Sequence, residues 1–422
     1  MEDYSKIIKE ELIPAFGCTE PIALAFASAK VAEVLGGDPD YLDVKCSGNI
    51  IKNTKSVVVP GTDGQRGIKI SCTVGAIAGD ASKNLEVLSD IDKDKLPVAH
   101  ELIEKGYCKV SLKPGVENLY IEIDAGRGED TAKVIIAESH TNIVYIEKNG
   151  VVLEEKASEE ATKKEDYDYN FDDIYEYASN ADLSDVIDIL ELQIQYNYEI
   201  AKEGLSGSYG SEIGKFLHED RPDDVERDMV AYAAAGSDAR MSGSEMPVVI
   251  NSGSGNQGIT VSLPIIVYAK ANDLMGEPLY RALAFANLIG LYMKQGIGRL
   301  SAYCGAVSAA SAAVAGLAFI KGESKEIAAQ ALVNSLAGNS GLICDGAKAS
   351  CALKIASSLN NALLGYKQAQ SGLSFNAGDG IVMDNVDETI KAVGRIARYG
   401  MKTTDEVILN EMIGNRDYIK EM

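Results

Sequence analysis

Between Ser301 and Ser350 the chain carries 14 alanines, 7 serines and 6 glycines. More than half of that window is side chains too small to fill space by themselves. Segments built from them must approach one another closely, either in tight helix–helix packing or around a bulky group that is not protein. The window overlaps an uncharged run, Leu300–Ile320, whose 21 residues are long enough to span a bilayer. Its bulky aliphatic and Phe residues are few: Leu300, Leu317, Phe319, Ile320 and two valines. Such a segment inserts weakly, so the expectation is a helix buried inside a soluble protein. A second uncharged run, between Glu245 and Lys270, contains Asn251, Asn256, Gln257 and Pro264 and cannot face lipid.

At 422 residues the chain has room for two or three domains. Forty basic against 63 acidic residues give a net charge of −23. Nucleic acid is excluded as a partner, because binding it requires Lys and Arg to displace counterions, and an acidic membrane surface is excluded on the same ground. The segment Met1–Lys6 lacks an apolar signal core, so a cytoplasmic protein with reduced thiols is expected.

The fold class expected is α+β: a mixed N-terminal domain, residues 1–165, followed by a mainly helical domain, residues 166–422. Ile7, Ile8, Leu12 and Ile13 predict a short helix that Pro14–Gly17 interrupts. Thr19-Glu20-Pro21 restarts a helix, with Pro in the first turn where no amide partner is needed, and Gly36-Gly37 ends it. Val57–Val59 and Ile68–Val74 read as strands around the turn Pro60–Gly64. Further strands are expected at Cys108–Leu112, Leu119–Ile123, Ala132–Ile136 and Ile143–Ile146. Residues 151–200 hold 15 acidic and 3 basic residues. The stretch Glu154–Asp173 reads as a solvated linker, with a boundary near residue 165 and a regular helix from about Leu183.

Seven cysteines fall into groups. Cys46, Cys72 and Cys108 lie in strand-like segments and read as small core residues. Cys304, Cys344 and Cys351 fall in the small-residue region. Cys344 and Cys351, seven apart, would share one face of a helix, yet the spacing matches neither a zinc finger nor a ferredoxin run. From the residues alone the trio is equally readable as core or as ligands. On a cubane cluster three thiolates would leave one iron open, which points to chemistry rather than electron transfer. Cys18 precedes a predicted helix start, where the dipole lowers a thiol pKa; a buried turn cysteine is the alternative. Asn251-Ser252-Gly253-Ser254-Gly255-Asn256-Gln257-Gly258 offers many amides but lacks the Lys of a phosphate loop, which favours a small zwitterion over a nucleotide, or else an ordinary linker. His140 is a conceivable base or a structural histidine between two strands.

Taken together, Gly17-Cys18-Thr19-Glu20-Pro21, Gly48-Asn49-Ile50-Ile51-Lys52-Asn53, Val59-Pro60-Gly61-Thr62, Ser139-His140-Thr141-Asn142-Ile143, Asp238-Ala239-Arg240-Met241, the Ser252–Gly258 loop and the cysteine trio resemble the L-cysteine desulfidase family. That family is related to the α-chain of the iron–sulfur L-serine dehydratases. The resemblance implies a [4Fe–4S] cluster on Cys304, Cys344 and Cys351 with one iron open to substrate, and conversion of L-cysteine and water to pyruvate, hydrogen sulfide and ammonia. It also supports Cys18 as a functional thiol, and we expect Cys18 first and His140 second as the group that removes the Cα proton. Thr19, Glu20, Asn49, Lys52 and Asn53, with Ser252, Gly253, Ser254, Asn256 and Gln257, are then expected to hold the amino acid. The Ser-Ser-Ser-His-Thr motif of the serine enzymes is absent, as is their C-terminal cysteine. L-Serine dehydration and a non-catalytic amino-acid or redox sensor are the competing readings. The partner expected is a small amino acid, and a homo-oligomer is compatible with the sequence.

Overall fold

A computed structural model describes residues 2–156, 167–298 and 300–414. Its α+β architecture follows the expected order, with a six-stranded sheet in the first part and helices thereafter. Asp3 caps helix Tyr4–Glu11, accepting the Lys6 amide at 3.0 Å. The interruption at Pro14 is a short strand, β1 (Pro14–Phe16). It leads into helix Thr19–Leu35, which ends at Gly36 in the left-handed conformation.

The sheet has the order β3-β2-β4-β5-β6-β7, formed by β2 (Tyr41–Cys46), β3 (Cys108–Leu112), β4 (Tyr120–Arg127), β5 (Asp130–Ala137), β6 (Ile143–Lys148) and β7 (Val151–Glu155). β2 and β3 run parallel; every other neighbouring pair is antiparallel. Alternation places Leu42, Val44, Ile121, Ile123, Val134 and Ile136 in the core. The opposite face carries Lys45, Glu122, Asp124 and Lys133 as an ion-pair network. β2 and β7 were not anticipated.

The β-branched run Ile68–Val74 is a helix, Ile68–Ala78, and not a strand. Its Gly75 lies so close to helix Thr19–Leu35 that a Cβ there would stand 2.4 Å from the Ala25 carbonyl. Burial against a neighbouring helix outweighs a local preference worth at most about 1 kcal/mol. Val57–Val59 forms no strand, only an isolated bridge between Val58 and Arg66. The turn between them is real: Thr62 donates to the Val59 carbonyl at 2.6 Å. Cys72 therefore sits on a helix, although it is a core residue as expected, like Cys46 and Cys108.

The expected linker Glu154–Asp173 is only partly so. It begins inside β7, and at its far end Tyr169 and Phe171 are buried, Tyr169 stacking on Tyr292 and Phe171 opening helix Phe171–Asn180. The boundary near residue 165 lies outside the described residues. The regular helix expected from Leu183 begins at Ile187 and runs to Ser206.

In the helical part, Gly305–Ile320 is central. It packs against helices Gly255–Ala271, Glu277–Ile297, Lys325–Asn339 and Cys351–Gln370. The small residues explain how four neighbours fit: a Cβ on Gly316 would meet Ile265 at 2.5 Å and Ala286 at 2.7 Å. Among the described residues no helix is long and apolar enough to cross a membrane. Contacts between the halves include two that bear on the site. β1 pairs antiparallel with β8 (Pro247–Val249), and helix Lys402–Ile413 returns to lie on helix Gly48–Thr54.

Candidate active site

The β1–β8 pairing sets two sequence motifs side by side. Phe16 is opposite Pro247 and Pro14 opposite Val249, so Cys18 and Thr19 meet the loop after β8. There the Thr19 hydroxyl donates to the Gly253 carbonyl at 3.0 Å. Glu20, in the first turn of its helix, is buried and has both carboxylate oxygens engaged. One accepts from the Cys18 thiol and the Thr19 hydroxyl, each at 3.2 Å; the other accepts from the Asn53 amide at 3.0 Å and faces His140 Nε2 at 4.0 Å. Glu20 thus gathers Cys18, Thr19, Asn53 and His140 at one point, a role its position as a dipole complement did not suggest.

Burial pushes the Glu20 pKa up, but the charge of His140, the Cys18 hydrogen bond and Arg240 outweigh it and hold the carboxyl below its ordinary range. Cys18 moves the other way: burial first, and then the Glu20 carboxylate, push its thiol well above its ordinary value. The helix N-terminus therefore does not make Cys18 a resting thiolate. Cys18 caps its helix by position and makes no side-chain cap bond, while it is desolvated beside a carboxylate.

The small-residue loop is ordered and is no linker. Ser252 and Gly253 both adopt positive φ, and Ser254 caps helix Gly255–Ala271 by accepting the Gln257 amide at 3.3 Å. Asn251 bonds to Asn287 and accepts from Gln257 Nε2 at 2.8 Å. Gln257 Oε1 is buried without a partner and lies 3.1 Å from where a Cβ on Gly305, the neighbour of Cys304, would stand. Asn256 accepts from Arg240 at 3.2 Å. The buried Arg240, whose Nε is also without a partner, lies close enough to Gly255 to forbid any side chain there.

The three cysteines meet by a route the spacing did not show. Residues 344–350 are not helical, so Cys344 and Cys351 do not share a helix face. Gly346 turns the chain at φ +92°, where a Cβ would strike the Lys52 carbonyl at 2.3 Å. Cys304 is brought in by a short antiparallel bridge between Tyr303 and Ile343, with Cys304 N bonded to Leu342 O at 3.0 Å and Cys344 N to Ala302 O at 2.6 Å. Cys304 is the N-cap of helix Gly305–Ile320 and Cys351 is the first residue of helix Cys351–Gln370. Two helix N-termini therefore stand with their positive ends at the trio. Cys18 belongs to the same corner: with Val57 and Met241 it forms a small apolar cluster on which Ala347 and Cys351 pack.

One thiol of the trio, Cys344, favours the thiolate, while burial pushes Cys351 up. The Cys304 thiol hydrogen bond, against the opposing burial and with help from Lys52 and Lys294, holds Cys344 down at about 5. Cys304, as the donor and as a buried group, is pushed well above its ordinary value. Among the described residues no three Cys, His, Asp or Glu side chains could share a single metal ion. A cubane cluster makes a different demand, since it distributes thiolate ligands over separate irons. Three thiols, two at helix starts and one in the loop between, with buried ammonium groups acting on Cys344, match that demand.

Lys52 and Asn49 complete the corner. Lys52, buried, forms an ion pair with Asp405, and Asn49 Nδ2 donates to the other oxygen of Asp405 at 2.7 Å. A cavity of about 1460 Å³ opens here, lined by Asn49, Ser252, Lys294, Ala302 and Asp405 among others. The expected residues connect through Glu20, Gly253, Lys52 and Gln257, and of them Asn49 and Ser252 line the cavity. Sequence reading gave no role to Arg240, Lys294 or Asp405. Arg240 stood in a quoted motif, whereas Lys294 and Asp405 carried no local signal.

A family model for the serine dehydratase alpha chain matches residues 82–410. A protein named UPF0597 protein from Finegoldia magna is 47% identical over 98% of this chain and 100% of its own length. Proteins of the same name from Lachnoclostridium phytofermentans and Treponema denticola are 48% and 43% identical, covering 96% and 98% of this chain and 98% of each relative. These relatives extend the likeness through the Cys18, Asn49 and Lys52 motifs, which precede the family match. The chain belongs to the serine dehydratase alpha chain family.

Proposed function

We propose that this lyase-family protein is a [4Fe–4S]-dependent L-cysteine desulfidase, held by Cys304, Cys344 and Cys351. The observation that carries the reading is the convergence of those thiols on two helix N-termini beside the Cys18–Glu20–His140 group. When bound, the cluster supplies a Lewis-acidic iron lacking a protein ligand, which eases departure of sulfide. The chain's own residues do the rest. Lys52 and Asn49 orient the carboxylate and amine, with Asn53 and the Ser252–Gln257 loop closing around them; helix capping by Ser254 keeps that loop rigid. Holding the substrate in one orientation is worth as much to the rate as any tuned pKa.

Cys18 rests protonated, hydrogen-bonded to Glu20. It therefore serves as the proton donor to the departing sulfur, and removal of the Cα proton falls to His140 in its neutral form. This reverses the order expected from the helix dipole. Glu20 orients both groups through its two oxygens. The enamine released then tautomerises and hydrolyses to pyruvate and ammonia in water.

The family description favours L-serine as the second reading. Protein reconstituted anaerobically with iron and sulfide, then assayed for pyruvate from each amino acid, decides between them. Pyruvate with equimolar sulfide from L-cysteine, at a kcat/KM well above that for L-serine, is the expected result. A preference for L-serine overturns the desulfidase reading, and binding without turnover of either would make the protein a sensor.

A further inference from the structure

The Lys52–Asp405 pair is costly unless it has a purpose. Lys52 is 1% exposed and Asp405 15%, so both charges have left most of their water, and a buried pair of this kind repays its desolvation poorly. Asp405 does not come from the motif that carries Lys52. It is delivered by helix Lys402–Ile413, which follows a π-helical turn at Ile396–Gly400 and is further fixed by Leu409 over Gly48. Asn49 gives its Nδ2 to Asp405, while its own Oδ1 is buried with no partner. Asn49 and Asp405 both line the cavity that reaches Ser252. Asn49 and Asp405 thus present a carboxylate and an orphaned acceptor at one wall of the cavity, with the Lys52 ammonium buried behind them on Asp405.

An amino-acid zwitterion carries the same two charges one carbon apart. Resting on the reading above, in which Lys52 and Asn49 hold the substrate, we infer that Asp405 is the receptor for the substrate's ammonium group. The ligand enters by exchanging partners with the pair. Its carboxylate takes the place of Asp405 at Lys52, and its ammonium takes the place of Lys52 at Asp405, donating a further N–H to Asn49 Oδ1. No net charge is added to the buried site. Neither protein charge is left unpaired, which is the expensive outcome for a buried ion. Glu20 already holds four partners and Asp345 lies between Lys348 and Lys354, whereas Asp405 lines the cavity and is bonded to both Lys52 and Asn49. Asp405 bonds directly to the residues read as carrying the substrate. It is therefore a specificity residue that selects α-amino acids over thiol acids.

The test is calorimetric binding of three probes to the anaerobically reconstituted protein: L-cysteine, 3-mercaptopropionate, which lacks the ammonium, and cysteamine, which lacks the carboxylate. Asp405→Asn is expected to weaken L-cysteine and cysteamine on the order of 10- to 100-fold, as losing a charged hydrogen bond does, and to leave 3-mercaptopropionate within about threefold. Lys52→Met should give the mirror pattern, and Asp405→Glu should recover part of the loss. Equal weakening of L-cysteine and 3-mercaptopropionate by Asp405→Asn would show a merely structural role and overturn the assignment, as would unchanged cysteamine binding or a wild-type protein that binds none of the probes. Turnover is read separately. A wild type that binds L-cysteine with this pattern but releases no sulfide sinks the desulfidase reading and leaves the Asp405 assignment standing.

Discussion

Apart from Cys18, the two halves of the molecule each hold three cysteines, in different surroundings. Cys46, Cys72 and Cys108 lie in the core between the sheet and its helices, where burial pushes Cys46 and Cys72 upward and the charges acting on them are those of neighbouring thiols. Cys304, Cys344 and Cys351 lie at loop ends and helix starts; Cys344 and Cys351 are partly exposed, and Lys52 and Lys294 act on Cys344. The first trio behaves as small hydrophobes and the second as ligands-in-waiting. Residue type and count are identical, so the surroundings decide: the first trio is packed inside the core of sheet and helices, whereas Cys304 and Cys351 stand at helix starts, whose positive ends favour a thiolate.

The strongest way to break that contrast is to swap serine into each trio. Cys344→Ser in the reconstituted protein should abolish both the visible absorbance of the cluster and turnover, while Cys46→Ser should retain both. Equal loss from the two variants, in protein of equal helical content, would erase the distinction. A smaller effect separates the trio from its neighbour. Cys18→Ser should keep the iron and sulfide content of the wild type yet lower kcat by about 10²- to 10⁴-fold, the range expected for one proton-transfer group. Loss of iron from Cys18→Ser, measured by metal analysis, would make Cys18 a ligand instead.

Legibility followed locality. Helix Thr19–Leu35 was readable to its ends because Pro21 and Gly36 act on their own segment, and the turn at Pro60–Gly64 was readable for the same reason. Ile68–Val74 misled because its β-branched composition is a local signal, while the deciding contact, Gly75 against Ala25, lies fifty residues away in the chain. The site shows the same division. Cys304, Cys344 and Cys351 could be named from motifs, but their meeting depends on the Tyr303–Ile343 bridge, and no helical spacing describes it. Asp405 lies 356 residues from Asn49, and a single aspartate in an exposed-looking helix gives no hint of it. The direction of the Cys18 shift was misjudged because a sequence shows the helix start but not the burial.

Alkylation sharpens the comparison without the cluster. In protein freed of iron at neutral pH, iodoacetamide should modify Cys344 at least about 100-fold faster than Cys46, Cys72 or Cys108, which react only when the fold opens. Peptide mass spectrometry reads the order, and comparable rates at Cys344 and Cys72 would contradict it.

The smallest effect concerns a carboxylate on the far side of the first trio's sheet. Glu122 is 5% exposed and bonds Lys45, Lys113 and the Tyr120 hydroxyl. Burial alone would raise its pKa, but hydrogen bonds from Lys113, Tyr120 and Lys45 prevail and hold it at about 2. A depressed carboxyl stabilises the fold above its unfolded pKa, and that stabilisation is lost as pH falls through the folded value. Glu122→Gln should therefore be less stable than wild type at pH 7 by roughly 2 kcal/mol, below what the full shift implies because the two lysines are about a third exposed and screened. The gap should close between the ordinary carboxylate range and about pH 2. Urea unfolding at successive pH values measures it. Unlike Glu20, whose loss is expected to reach the chemistry, Glu122 should leave kcat for any turnover unchanged. A fall in kcat that tracks neither unfolding nor iron content would mean that this face of the sheet also serves the site.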